Sequence, residues 1–321
     1  MSCDNEVDIN SDYEEVALVY GLLDKNAETQ FIKINRTFLD DNLSAIDLAQ
    51  QSEKIHFDTL TVILIDNNTG SLDTLKDTVM VKQPGAFSTE DNVLYYTTKR
   101  LKPRTSYQLK IIKPDGTETF GTTTTIDTIN VIKPRTAFGQ SASLNNVKFI
   151  NPRGLRIINY EFEFSTGRNI AEFQVRMHFH YKERTSNGEE PRVVSMNIGK
   201  LLNTTLNENE QLKFSFPGEL FFKAIEEQVK ASLNPSEKII DRNDYNIDIE
   251  IFAADPDYSF YRELNGPIDG LAQTRPEFTN IENGIGLFAS RFSMIAKSQI
   301  DQETRNYLIQ KYKDNRNFTV E

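Results

Sequence analysis

Between Phe173 and Tyr181 every second residue is apolar. Phe173, Val175, Met177, Phe179 and Tyr181 alternate with Gln174, Arg176, His178 and His180. A period of two places all five apolar side chains on one face of a β-strand, whereas a helix would scatter them round its axis. Tyr160 to Phe164 and Ile247 to Ile251 repeat the pattern with acidic residues between. Strands of this kind build antiparallel sheets with one face in a core and one in water.

The same reading runs along most of the chain. Val16 to Tyr20, Phe31 to Ile34, Leu60 to Ile65, Val93 to Thr97 and Tyr107 to Ile112 are strand-like, and Asp66-Asn67-Asn68-Thr69-Gly70 is a turn. Leu101 to Leu109 places a Pro-containing turn before a Tyr-x-Leu strand, and Lys113-Pro114-Asp115-Gly116 is a tight turn. This resembles the late hairpin of immunoglobulin-like and fibronectin-like sandwiches, in which a Tyr hydroxyl bonds back to the corner. Thr122 to Thr125 suits a half-exposed strand. Phe38 to His56 interrupts the pattern and reads as an inserted loop or short helix.

Gly188 closes an expected hairpin, and Val193 to Ile198 returns. After Pro217 the period changes: Leu220, Phe221, Ala224, Ile225, Val229 and Leu233 recur at helical spacing, so a helix is expected over about 217–231. Asp257 to Leu264 suits a short helix, and Asp301 to Lys313 a charged terminal one. The fold class expected is mainly β. An N-terminal immunoglobulin/fibronectin-like β-sandwich over 13–130 precedes a second β-sandwich-like domain over 131–298 with one packed helix. Residues 1–12 read as a polar tether and 299–321 as a C-terminal helical extension.

Composition narrows the function. The 321 residues carry 36 basic and 47 acidic side chains, a net charge of −11 without a dense Lys/Arg run, so no nucleic-acid partner is expected. The single cysteine, Cys3, excludes an internal disulfide and a cysteine-rich zinc site. No apolar run approaches the ~20 residues of a spanning helix.

Cys3, followed by the acidic tether Asp4-Asn5-Glu6-Val7-Asp8, resembles the start of a mature bacterial lipoprotein, whose signal peptide is cut just before a lipid-bearing Cys. The acidic residues resemble the export signal that sends lipoproteins of Bacteroidota to the outer cell surface. The other reading is a cytosolic protein that begins Met-Ser-Cys.

Further residues carry a family resemblance. Val16 to Asp24 (strand, Gly, Leu-Leu-Asp) is followed by Phe31 to Arg36, then Tyr107 to Ile111 with Asp115-Gly116, and finally Phe278 to Phe288 with its Asn-Ile-x-Asn-Gly-x-Gly-x-Phe pattern. Together these resemble an uncharacterised family (a domain of unknown function) of Bacteroidota outer-membrane lipoproteins, often encoded beside TonB-dependent receptors. The resemblance runs from about Tyr13 to Phe292 and leaves Met294 to Glu321 outside it. It implies lipidation at Cys3, a place at the outer membrane facing the cell exterior, and an outer-membrane β-barrel protein as partner. It supplies no catalytic residues.

No nucleophile elbow, phosphate loop or dinucleotide fingerprint occurs, so no catalytic residue and no cofactor is expected. His178 and His180 share a strand face as two metal ligands would, but two solvated residues on a polar sheet face are the favoured reading, and no metal is assigned. Asp66 to Gly70 fails the EF-hand pattern, and Asp255-Pro256-Asp257-Tyr258 reads as a helix-initiating turn as readily as a calcium site. Glu161 and Glu163 belong to the polar face of their strand. Asn280, Asn283, Gly284, Gly286 and Phe288 have two readings: a loop that docks on a partner barrel, or a bulge or corner that locks the last strand into its sandwich.

The function expected is a non-catalytic surface lipoprotein serving as accessory subunit of an outer-membrane β-barrel complex, a TonB-dependent transporter or an assembly or secretion machine. The alternative is a free-standing glycan- or ligand-binding lipoprotein. It would rely on Tyr95, Tyr96, Tyr258, Phe260 and Tyr261, because the chain has no Trp.

Overall fold

The computed structural model describes residues 15–37, 55–81, 92–134, 146–153, 156–202, 210–231, 236–242, 244–266 and 278–321. The tether with Cys3 and nearly all of the Phe38–His56 interruption lie outside them. The alternating runs become strands. In chain order these are β1 (Ala17–Asp24), β2 (Gln30–Arg36), β3 (Thr61–Asp66), β4 (Ser71–Thr74), β5 (Lys76–Met80), β6 (Asn92–Thr97), β7 (Ser106–Ile112) and β8 (Glu118–Thr124). Then follow β9 (Asn130–Lys133), β10 (Asn146–Val147), β11 (Ile150–Asn151), β12 (Arg156–Ile157), β13 (Tyr160–Ser165), β14 (Glu172–Thr185), β15 (Gly188–Leu201) and β16 (Gln211–Phe216). Helix α1 (Gly218–Gln228) leads to β17 (Glu237–Ile240) and β18 (Ile247–Ala254), and α2 (Pro256–Leu264) to β19 (Ile281–Glu282) and β20 (Gly284–Ile300). Helix α3 (Gln302–Tyr312) and β21 (Phe318–Val320) end the chain.

The fold is mainly β, with strands in several sheets and three helices among the described residues. The chain forms two units, and neither is contiguous. Unit 1 comprises 1–125 and 257–291; unit 2 comprises 126–256 and 292–321. The division differs from the expected 13–130 and 131–298. Residues 257–291 return to unit 1 because Ala17–Asp24 pairs in parallel with Gly284–Arg291, and Ile281–Glu282 pairs with β8. A parallel partner more than 250 residues away leaves no local trace in the sequence.

In unit 1 one sheet runs β20 (first half), β1, β2, β6, β5, and the other β19, β8, β7, β3, β4. Val19, Ile32 and Ile34 from the first sheet meet Val62, Leu64, Leu109 and Ile111 from the second in a closed core. The corner Tyr is present: the Lys102 N–H donates to Tyr107 Oη at 3.0 Å. Thr125 braces the same corner, its hydroxyl 2.6 Å from the Lys102 carbonyl oxygen and accepting from the Thr105 N–H at 3.1 Å. The β7–β8 hairpin turns on Gly116, whose φ of +85° lies in the region that glycine adopts freely.

In unit 2 the larger sheet runs β21, β17, β14, β18, β20 (second half), with β15 on the other side of β14, and the smaller runs β16, β13, β9. The β14–β15 hairpin closes at Thr185 opposite Gly188. The core is rich in rings. Phe221 of α1 stacks on Phe149 with centroids 4.6 Å apart and meets Phe179 at 5.4 Å. Burying each such ring contributes about 1.5–3 kcal/mol.

The terminal helix is not an extension. Leu308 and Tyr312 of α3 are 0% and 2% exposed within this core. Asp301 caps the helix by accepting from the Thr304 N–H at 3.1 Å, as a helix start rich in orphan donors favours. Thr304 in turn accepts from the Phe149 N–H at 2.9 Å. Of the charged residues that made α3 look peripheral, Lys311 is exposed, whereas Arg305 is buried and donates to the Ile300 carbonyl at 3.3 Å.

Candidate functional site

The Asn280–Phe288 segment, the first candidate for partner contact, is spent inside unit 1. Asn280 Oδ1 accepts from the Phe288 N–H at 2.9 Å, while its Nδ2 reaches the Phe288 carbonyl at 2.8 Å and Asp257 Oδ2 at 2.7 Å. One side-chain amide thus imitates a neighbouring strand. Thr279 Oγ1 accepts from the Gly286 N–H at 3.0 Å, and Asn283 Nδ2 donates to the Glu118 carbonyl at 3.1 Å. Asn283 takes φ +54° and Gly286 φ +123°, and a Cβ on Gly286 would stand 2.0 Å from the Val19 carbonyl oxygen. At Gly284 a Cβ would come within 3.0 Å of the Ala17 carbonyl oxygen.

Phe288 is fully buried in the core of unit 1. The docking reading of Asn280, Asn283, Gly284, Gly286 and Phe288 is therefore corrected to the locking one. The segment seats the first half of β20 against β1, and its polar atoms and its ring are already used there.

The other sequence candidates resolve similarly. His178 Nε2 lies 3.2 Å from Glu250 Oε2 and its Nδ1 2.9 Å from Ser195 Oγ, while His180 Nε2 lies 3.1 Å from Asp248 Oδ2. Each imidazole faces one carboxylate across the β14–β18 pair. Among the described residues no group of three or more His, Cys, Asp or Glu could hold a metal. Glu161 and Glu163 flank Lys213 at 3.7 and 3.8 Å.

Asp66 organises its own turn, accepting from the Asn68 and Thr69 N–H groups at 3.0 and 3.2 Å and pairing with Lys102 at 3.1 Å. Burial raises the Asp66 carboxyl, but Lys102, Thr69 and the Asn68 amide together outweigh it and hold the carboxyl below the ordinary carboxylate range. Asp257 starts α2 and serves Asn280.

Of the aromatic residues, Tyr95 is buried in the core of unit 1 and Tyr258 lies under the Arg262 guanidinium at 5.8 Å. Phe260 is exposed and sits edge-on to Phe278 at 5.4 Å.

Two features went unread in the sequence. On the outer face of the β20–β1–β2–β6–β5 sheet, Tyr20 and Phe31 are 40% and 41% exposed. Phe31 lies opposite Tyr96 with centroids 6.2 Å apart, and Tyr20 meets Tyr261 of α2 at 6.4 Å. Burial and the neighbouring Tyr261 phenol raise the Tyr20 hydroxyl above its ordinary value. At the β5 edge of the same sheet Val79, Met80 and Val81 are also exposed. The strict alternation of β1 and β2 was the available signal, because it sends Tyr20 and Phe31 to the polar side. The second feature is a cleft of about 280 Å³ in unit 2, beside His180 and Asp248.

No family model matches the chain, and no curated protein matches it. Among solved structures, the C-terminal globular domain of an oligosaccharyltransferase from Pyrococcus abyssi aligns with 67% of this chain at 10% identity and a TM-score of 0.23. The aligned part spans 43% of that domain's length. The IG1+IG2 fragment of DIP-gamma aligns with 89% of this chain and 99% of its own length, at 8% identity and a TM-score of 0.18. Likenesses this distant carry no functional argument.

Proposed function

We propose that the chain is a non-catalytic binding component: a surface lipoprotein, anchored through Cys3, that serves as accessory subunit of an outer-membrane β-barrel complex. The observation that carries the reading is the apolar side of the first sheet of unit 1. Single exposed apolar residues are ordinary, but Tyr20 and Phe31 share one sheet face with Met80 of the edge strand, and Val79 lies exposed at the same edge on the opposite face. Edge strands also present unpaired backbone groups, and β5 has no strand beyond it among the described residues. Such an edge can accept a strand from a partner, with affinity from the main chain and selectivity from the side chains.

The lipid anchor rests on the Cys3 tether and on the resemblance carried by the Asn280–Phe288 segment. No helix among the described residues is long and apolar enough to cross a membrane.

The test is purification from native membranes in mild detergent through a C-terminal tag, with co-purifying proteins identified by mass spectrometry. A stoichiometric outer-membrane barrel is expected, and Phe31→Glu with Val79→Glu should release it without unfolding the chain. Recovery of the protein alone, or only from the soluble fraction, would sink the reading.

A further inference from the structure

The cleft in unit 2 opens where β14, β15 and β18 meet the turn before β18 and the second half of β20. Its charges are balanced. Lys182, Arg192 and Lys297 face Asp241, Asp244 and Asp248, three of each sign, in a chain whose net charge is −11. Several are paired across the walls: His180 Nε2 with Asp248 at 3.1 Å, and Lys182 Nζ with Asp241 at 3.9 Å. Arg192 bonds to Glu183 and Glu190 at 2.9 and 2.7 Å. A site already neutralised in this way gains little from a ligand that carries net charge. It keeps a high density of donors and acceptors side by side.

A buried donor adds a second, independent observation. Asn246 borders the cleft and is 4% exposed. Its carbonyl accepts from the His180 N–H at 2.9 Å, and its Oδ1 accepts from the Ile300 N–H at 2.9 Å. The Ile300 bond fixes which end of the amide is oxygen, because only oxygen can accept there. Nδ2 is left buried with no partner among the described residues. A buried N–H₂ without an acceptor is costly, and this one belongs to a residue of the cleft wall. At the rim Tyr245 is 48% exposed, a flat apolar ring beside the polar walls.

We infer that this cleft binds a neutral, hydroxyl-rich ligand, one unit of a carbohydrate chain. Vicinal hydroxyls would donate to the Asp244 and Asp248 carboxylates and accept from Lys297, whose ammonium has no acidic partner among the described residues. The C–H face of the sugar ring would lie on Tyr245. Closely spaced donors and acceptors beside an aromatic ring match a sugar's hydroxyl edge and C–H face, and the volume suits a single monosaccharide unit. The inference stands apart from the assembly reading, since the cleft is in unit 2 and the exposed sheet face in unit 1.

The test uses the purified full chain without membrane or partner, so its failure and that of the assembly reading are separable. Saturation-transfer NMR and calorimetric titration are run with a panel of neutral mono- and disaccharides, with glucuronate as the anionic probe and glycine as the zwitterionic one. At least one neutral sugar is expected to bind saturably. Tyr245→Ala and Lys297→Ala, both at exposed positions, should each weaken it by about tenfold. Unchanged thermal midpoints will show that both variants fold, and Phe31→Ala should leave the affinity unaltered. The proposal is overturned if no neutral sugar binds, if binding survives both substitutions, or if glucuronate or glycine binds more tightly than every neutral sugar.

Discussion

The core of unit 1 is built from Val, Ile and Leu with three buried rings, Tyr95, Tyr107 and Phe288, whereas that of unit 2 contains Phe149, Phe162, Phe164, Phe173, Phe179, Phe216, Phe221 and Phe222 among others. Unit 1 secures its corners with polar side chains bonded to backbone: Tyr107 to Lys102, Asn280 to Phe288, Thr279 to Gly286. Unit 2 lays two helices against its sheets, and their rings and hydroxyls close the core. The Tyr312 hydroxyl stands 3.1 Å from the Phe222 carbonyl oxygen and 2.8 Å from Glu226 Oε1. A hydrogen bond contributes a net of about 0.5–1.5 kcal/mol, and deleting a buried ring costs about 3–5 kcal/mol. Unit 1 should therefore tolerate loss of a single side-chain contact better than unit 2. Its weak points should be backbone positions.

The largest effect is expected from Phe221→Ala, which removes the ring that Phe149, Phe179 and Phe222 all contact. The cost should be about 3–5 kcal/mol, read by hydrogen exchange as lost protection in β14 with β7 retained. Equal loss in β7 would break the comparison by making the units one cooperative block.

Gly286→Ala comes next. Its φ of +123° and the 2.0 Å approach to Val19 force the backbone to move. Strain alone should cost about 1–3 kcal/mol and expose the β1 amides to exchange, and normal protection there would remove the locking role from this segment.

Tyr107→Phe keeps the ring and deletes the corner bond. Denaturant titration should show a loss of about 0.5–1.5 kcal/mol; no change would mean that water replaces the bond at no cost.

Smallest is Glu226→Gln. Hydrogen bonds from Lys311 and then Tyr312 hold the Glu226 carboxyl below its ordinary range. A depressed folded value means that the contribution is complete above the unfolded value of about 4.3 and is lost as pH falls through the folded one. The stability gap between wild type and variant should accordingly close on acidification, and a gap independent of pH would refute the ionic link between α1 and α3.

Local patterns were legible. Alternation placed β1, β7, β13, β14 and β18 within a few residues, and the change of period at Pro217 placed α1. Even the Tyr107 corner could be anticipated, since its donor lies five residues away. The Asn280–Phe288 segment stood out, but its use could not be read, because the partners Glu118, Thr119 and Val19 lie more than 160 residues away. The cleft was illegible for the same reason: His180, Tyr245 and Lys297 come from separate elements and carry no shared motif.

By itself the sequence determined that this chain is mainly β, that its strands have one wet face, and where its turns and main helix fall. These follow from side-chain periodicity and from residues with special backbone freedom, both properties of adjacent positions. Only the tertiary structure decided that the chain returns to its first unit after residue 256, that α3 belongs to a core, and that Phe288 is interior while Tyr20 and Phe31 stay exposed. Burial depends on which strand lies alongside, and the pairing of Ala17 with Gly284 is set by the packing of the whole unit.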